Sequence, residues 1–424
     1  MKAKRILALI LVICMFTVGC SCNDSKESEL NNLKDIMDSV DDGVSLWWDS
    51  SNANNENGDQ STSKAPTEEV TTEEPTTEEP TTEEPTTEEP TTQEPTTQET
   101  TTQEPTTEEP TTQKPVINDE GKTPYEAHGR LSVSGTKLVD KYGNPYQLKG
   151  ASTHGISWFP QYVSYDTFKY LRDAFGVNVV RIAMYTAEYA GYCSGGNKEE
   201  LKKLVKNGVD AATDLGLYVI VDWHILSDCN PHTNKSEAIN FFREMSSLYK
   251  DYDNIIYEIC NEPNGGTSWS DIKSYANEVI PVIRSNDPNA IIVVGTPTWS
   301  QDVDQASYDK ITGYDNIMYA LHYYAATHKQ WLRDKAQTAI NNGLALFVTE
   351  FSICDASGNG GLDINEANRW LEFLNNNGIS FVGWNLSNKG ESSAMFQTWT
   401  NKISGFDDSE LSEWAKWLRD AIKK

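Results

Sequence analysis

Two stretches place a carboxylic acid where an apolar run gives out. Residues Ile255 to Pro263 read Ile-Ile-Tyr-Glu-Ile-Cys-Asn-Glu-Pro, and residues Leu344 to Phe351 end Val-Thr-Glu-Phe. The density of β-branched and aromatic residues in the first predicts a short buried strand. Pro263, followed by Asn264-Gly265-Gly266, stops it, so Asn261 and Glu262 fall at its C-terminal lip. Glu350 falls at the equivalent point of the second stretch. Either glutamate alone reads equally well as an acceptor for loop amides. Two together are what hydrolysis of a glycosidic bond requires: one protonates the leaving oxygen, the other attacks the anomeric carbon or activates water.

Other polar side chains fall at the ends of apolar runs in the same way. They are His154, His224 in Asp222-Trp223-His224, His322 and Tyr324 in His-Tyr-Tyr, and Trp384 in Gly-Trp-Asn, with Arg181 inside a further run. Three histidines raise the alternative of a metal centre. Metal-dependent amidohydrolase barrels open with His-x-His on their first strand, where this chain has Thr153-His154-Gly155, and no Cys-x-x-Cys pair occurs, so neither metal nor cofactor is expected.

The elements that must position these residues alternate. Strands are predicted at Gln147 to His154, Asn178 to Met184, Leu217 to His224, the stretch from Ile255, Ala290 to Thr296, Asn316 to Tyr323, Leu344 to Phe351 and Ile379 to Asn385. Helical patterns lie near Tyr165 to Phe175, Glu199 to Leu215, Ser236 to Tyr249, Asp271 to Asn286, Lys329 to Asn341, Ile364 to Asn375 and Ser409 to Lys423. A hairpin over Arg130 to Tyr146 precedes them. Eight such units over roughly 300 residues predict an α/β fold, a (β/α)₈ TIM barrel spanning 123–424, rather than an open doubly wound sheet, whose glycine fingerprint is missing. A packed barrel wants bulky apolar residues inside, so polar groups collected on one rim mark a site.

From Thr123 onward the chain resembles glycoside hydrolase family 5, the retaining β-glycanases. The motifs are Thr-His-Gly-x-x-Trp at 153–158, Arg181, Asp-Trp-His at 222–224, Ile-x-Asn-Glu-Pro at 259–263, His-x-Tyr at 322–324, Thr-Glu-Phe at 349–351 and Trp-Asn-Leu-Ser at 384–387. The resemblance implies Glu262 as acid/base, Glu350 as nucleophile, and Asn261 in contact with the sugar 2-hydroxyl and the nucleophile. His224 and His322 would complete the same subsite, and His154 would bind substrate or support the residues that do. Arg181 and Tyr324 would hold Glu350 ionised, while Glu262, against apolar walls and a neighbouring carboxylate, would keep its proton. Trp384 would be the floor under the sugar being cleaved, and Trp158, Lys389 and Glu391 would serve the neighbouring subsites. Trp269 and Trp299 are candidates for the leaving side. The implied activity is an endo-β-1,4-glucanase. Mannanase, xyloglucanase and mixed-linkage glucanase specificities share the core residues, and a non-catalytic carbohydrate-binding barrel would not need both carboxyls with their supports.

The N-terminal third is different in kind. Lys2, Lys4 and Arg5 precede the apolar run Ile6 to Val18, too short to span a bilayer, so residues 1–19 read as an export signal. Gly19-Cys20 after that run resembles a bacterial lipoprotein cleavage site, with lipidation expected on Cys20 and the protein held at the outer face of the cell membrane. Residues 20–64 are acidic and polar, and 65–122 carry a Thr-Thr-Glu-Glu-Pro array whose prolines and like charges predict an extended spacer, reaching on the order of 150 Å. The stretch from Pro66 to Pro115 holds 15 Glu and one Lys, 14 of the 28 net negative charges of the chain. So acidic a chain, without a basic cluster, is not built for nucleic acid; a polysaccharide is the expected partner and a monomer the expected state. Cys193 and Cys229 form a conceivable disulfide, and Cys260 reads as a small buried residue.

Overall fold

The computed structural model describes residues 119–424. The leader at 1–19, Cys20, the acidic stretch 20–64 and the repeat linker up to residue 118 lie outside the described residues. Thr123 opens the first helix, α1 (Pro124–His128), with a capping box to Glu126. The expected hairpin follows as β1 (Ser132–Ser134) and β2 (Lys137–Val139), antiparallel. Then come β3 (Lys149–Thr153), α2 (Tyr165–Tyr170), continued by a π turn through Phe175, β4 (Val179–Tyr185), α3 (Lys198–Asp214), β5 (Tyr218–His224) and α4 (Lys235–Leu248). The second half runs β6 (Ile255–Glu258), α5 (Trp269–Arg284), β7 (Ile291–Val294), α6 (Val303–Tyr308), β8 (Ile317–Tyr324), α7 (Gln330–Asn341), β9 (Leu346–Ser352), α8 (Ile364–Asn377), β10 (Ser380–Leu386) and α9 (Glu413–Ile422).

Strands β3 to β10 close into a barrel in the order β10-β3-β4-β5-β6-β7-β8-β9, every neighbour parallel. The period-2 alternation of each strand sorts its residues. On β4, Val180, Ile182 and Met184 face the helices and join the outer core, while Val179 belongs to an inner layer with Leu148, Tyr218, Ile256, Ile291 and Phe347. Leu131 and Leu138 of the hairpin region join that inner layer, so the hairpin plugs the N-terminal end of the cylinder. One step higher the same inward parity brings not another apolar ring but Ser152, Arg181, Asp222 and Glu258, all buried. Apolar below, ionic above: the barrel is a plug with a polar site resting on it.

One boundary differs from expectation. β6 ends at Glu258, and Ile259 to Glu262 leave the regular ladder while still bridging both neighbours, Ile259 N–H donating to Val293 O (3.0 Å) and Asn261 N–H to Trp223 O (3.3 Å). The fifth unit has no long helix after its strand; a left-handed turn over Thr298 to Ser300, with φ of 57°, 54° and 57°, leads into short α6. The conceivable Cys193–Cys229 bridge is absent: the four cysteines in the described residues are free thiols. Cys193 packs on the outer core, whereas Cys229, at φ 57°, points its Sγ toward Ser227 O (3.6 Å) beside Gly265. Cys260 is buried as expected.

Candidate active site

Arg181, on β4, is the centre of the ionic layer and has no exposed surface. Its Nε donates to Glu258 Oε2 (2.7 Å), Nη2 to Asn261 Oδ1 (2.7 Å), and Nη1 to Glu350 Oε2 (3.3 Å), with Nη2 also 2.9 Å from Asp222 Oδ2. A guanidinium presents its donors in a fixed fork, so one side chain sets the positions of three carboxylates and an amide. Burial works against its charge, but Asp222, Glu258 and Glu350 outweigh that and raise its pKa further. Glu258 behaves in the complementary way: burial favours its neutral form, yet Arg181 and His322 pull it down to about 2.

Glu350, on β9, receives a second donor from the Tyr324 hydroxyl at 2.8 Å (Oε1), as the sequence suggested. Across the pocket Glu262 lies not against apolar walls but against His322, whose Nδ1 is 2.9 Å from Glu262 Oε1. The other nitrogen of His322 is 2.9 Å from Thr349 Oγ1, which donates to Glu258 Oε1 at 2.7 Å. Burial would lower the His322 pKa, but hydrogen bonding to Glu258 and Glu262, with the field of Glu350, pushes it up to about 9. The apolar wall expected beside Glu262 is replaced by an imidazole because β8 brings His322 there, at the register shift that follows Ala320.

His224, two residues past Asp222 on β5, is the opposite case. Burial first, and then Arg181, bring it down to about 3, so its ring is neutral. Nδ1–H then donates to Asp222 Oδ2 (2.6 Å), and Nε2 accepts from Asn261 Nδ2 (3.3 Å). Asn261 also donates to Ile225 O at 3.1 Å. Its amide is thus held by Arg181, His224 and the β5 loop, and not by Glu350, the contact the sequence led one to expect.

The floor and the flank are aromatic. Trp384 stacks on His224 with ring centres 5.1 Å apart and planes 12° from parallel, and with Tyr185 and Tyr324 forms an apolar wall. Trp158 lies 5.3 Å from His154 and 5.4 Å from Tyr185, its Nε1 donating to Tyr189 O (2.7 Å). Lys389 Nζ sits 5.5 Å from the Trp158 ring, 3.5 Å from His154 Nε2 and 2.7 Å from Glu391 Oε2. Glu391 is fixed by Asn385 Nδ2 (2.9 Å). Burial, then Lys389, lower His154 to about 3, and its Nδ1 accepts from Gly155 N–H (2.7 Å). Trp158, Lys389 and Glu391 therefore meet in one group, as anticipated, and His154 joins them.

Trp299 stands at the rim in the left-handed turn, 44% exposed, its N–H donating to Pro263 O (3.0 Å) directly after the acid. Trp269 does not line the cleft. It is buried under the first turn of α5 against Tyr319, with Nε1 donating to Asp309 O (2.8 Å), because the loop after β6 folds it back onto the outer core. The sequence reading assigned no role to Glu258, Thr349 or Tyr185, and quoted Asp222 only within a motif.

One donor atom each from Glu262, His322 and Glu350 lie within 4.8 Å of one another, the spacing from which a cation might be chelated. The chemistry of this donor set argues otherwise. Glu350 already faces the Arg181 cation, and an imidazole with a pKa of about 9 carries its own positive charge. What remains is two carboxyls facing one gap over an aromatic floor.

The family Cellulase (glycosyl hydrolase family 5) matches residues 139–390. The chain is 50% identical over 300 residues to Endoglucanase A of Butyrivibrio fibrisolvens, a match covering 70% of this chain and 69% of that one. It is also 50% identical to an endoglucanase of Clostridium saccharobutylicum, over 69% of this chain and 65% of the relative, so the match spans about two thirds of these relatives' length. Among solved structures, the catalytic domain of Thermobifida fusca endoglucanase Cel5A superposes with a TM-score of 0.68 at 37% identity, covering 71% of this chain and 100% of that one.

Proposed function

The chain belongs to glycosyl hydrolase family 5 and is a glycoside hydrolase, and from that premise we propose that it cuts internal β-1,4 bonds of cellulose or soluble β-glucan with retention of anomeric configuration. The observation that carries this reading is the approach of Glu262 and Glu350, whose nearest oxygens fall within 4.8 Å. Retaining enzymes hold their carboxyls about 5 to 5.5 Å apart, and inverting ones leave about 6.5 to 9.5 Å for a water. Glu350 attacks the anomeric carbon as Glu262 passes its proton to the departing oxygen. The glycosyl ester on Glu350 is then opened by water, whose proton returns to Glu262. Arg181 and Tyr324 fix the attacking oxygens, and the charge that Glu350 loses in the first step is balanced by the pairs Arg181 keeps with Glu258 and Asp222.

The names of the relatives, endoglucanases and a cellulase, and the aromatic floor at Trp384 support a glucan substrate, since the C–H face of an equatorial sugar ring matches an aromatic plane. Reducing-sugar release from carboxymethyl cellulose, lichenan, xyloglucan and mannan, measured side by side, tests it; faster release from mannan or xyloglucan overturns the glucan preference. Proton NMR of the first product tests the stereochemistry, the β-anomer being expected and an initial α-anomer fatal to retention. Glu350→Gln should lose nearly all hydrolysis while still binding glucan. We place the enzyme outside the cell, tethered through a lipidated Cys20, on the strength of the leader motif. Detergent partitioning and mass spectrometry of the mature N-terminus check that placement, and an unmodified or missing Cys20 ends it.

A further inference from the structure

Beyond the acid, the rim carries a second exposed tryptophan with no role in the site described above. Trp331 is the second residue of α7, immediately past the β8 strand that supplies His322 and Tyr324, and is 45% exposed. Its ring is held edge to face by His328 (5.7 Å), whose Nδ1 accepts from Tyr324 N–H (2.7 Å). Lys335 Nζ lies 5.6 Å from the ring and pairs with Asp302 Oδ1 at 2.5 Å. Asp302 Oδ2 in turn accepts from Thr298 Oγ1 at 2.9 Å, the residue before Trp299. A chain of contacts therefore runs outward from the acid: Pro263 to Trp299, back one residue to Thr298, then Asp302, Lys335 and Trp331.

Three successive non-glycine residues in left-handed backbone, Thr298 to Ser300, cost free energy that the fold must recover elsewhere. The cost is spent on standing Trp299 at the rim. The Asp302–Lys335 bridge joins the segment after β7 to helix α7, which follows β8, the neighbour of β7 in the barrel. Large aromatic rings left in water on a turn and on the first turn of the adjacent helix, each pinned by a polar brace, are the form taken by platforms for stacking sugar rings. We propose that Trp331 is a second platform on the leaving-group side, distal to Trp299, and that the cleft engages at least two sugars of a linear glucan beyond the cut. This rests on the glucanase reading and adds the direction and reach of the chain.

The test compares kcat/KM on cellohexaose with that on an aryl β-cellobioside, which offers no sugar beyond the cut. Trp331→Ala should lower the ratio of the two about fivefold to tenfold and move the preferred cut on cellohexaose toward products with a shorter leaving part. Trp331→Phe should restore the ratio to within about twofold. Tyr142→Ala, an exposed ring in the turn beyond β2, should leave the ratio where it is. An unchanged ratio in Trp331→Ala, or an equal loss on both substrates, overturns the proposal. A wild-type protein inert on cellohexaose would instead sink the glucanase reading itself.

Discussion

His322 and Glu258 join the two facing carboxyls, Glu262 and Glu350, into one connected unit. The folded pKa of His322, about 9, stands above the ordinary 6.5, so its contribution to stability is fully present below pH 6.5 and is lost as pH rises through 9. A shift of this size is worth on the order of 2 to 4 kcal/mol. Urea titrations of the wild type should therefore show stability falling between pH 6.5 and 9.5, and His322→Gln should flatten that limb; an identical slope in both proteins would remove His322 as its source. Glu258 is the other buried anchor. Removing it takes from Arg181 the carboxylate that Nε holds at 2.7 Å and from Thr349 Oγ1 its acceptor, and loss of one partner of a buried pair costs about 3 to 5 kcal/mol. Glu258→Ala should lose about that much by chemical denaturation, and kcat should fall as well, because Arg181 and Thr349 lose the group that aligns them with Glu350 and His322. A variant with wild-type stability and a depressed kcat would mean that Glu258 acts on the reaction without holding the fold.

Strand ends explain both what the sequence disclosed and what it concealed. The eight apolar runs and the polar residues closing them were legible because a barrel strand has a simple period and its C-terminal end is where chemistry accumulates. Glu258 was also within reach of that logic: it lies two residues beyond inward-facing Ile256, so parity alone points it into the barrel. Parity does not separate it from Glu262, four residues on, which an unbroken strand up to Pro263 would put on the same face. The fate of Trp269 and of Glu262's neighbour depended on loop paths and on the bulge between Ala320 and His322, neither of which periodicity encodes. The irregular exit of β6 makes its own prediction. A Cβ at Gly295, just after β7, would come 2.4 Å from Cys260 O and 3.0 Å from Asn261 O, and backbone cannot yield as a flexible side chain would. Gly295→Ala should cost about 1 to 3 kcal/mol and reduce kcat more than KM, since the displaced segment ends in Glu262. Unaltered kinetics would show that the segment tolerates the shift.

At the scale of the whole molecule, charge and catalysis belong to different parts of the chain. Half of the net charge of −28 comes from the Pro66 to Pro115 repeat, while the barrel closes on itself through β10 and β3 and is plugged from below by its own hairpin. About 300 residues bury enough surface to support a domain without help, and the capping box at Thr123 gives it a defined start. A fragment of residues 119–424 should therefore unfold in one cooperative transition and hydrolyse soluble β-glucan with the kcat/KM of the full chain, within about twofold. If the proposed Cys20 tether holds, the full-length protein presented on membranes should behave differently toward particulate cellulose, because a Pro-rich, like-charged sequence favours extension at low salt and its length would set the reach of the barrel. Release of sugar from particles beyond the bilayer should then fall as repeats are deleted, with soluble activity constant. Equal release from every repeat length would leave the array without a mechanical role, and a fragment that loses soluble activity would mean that the barrel needs the residues before it.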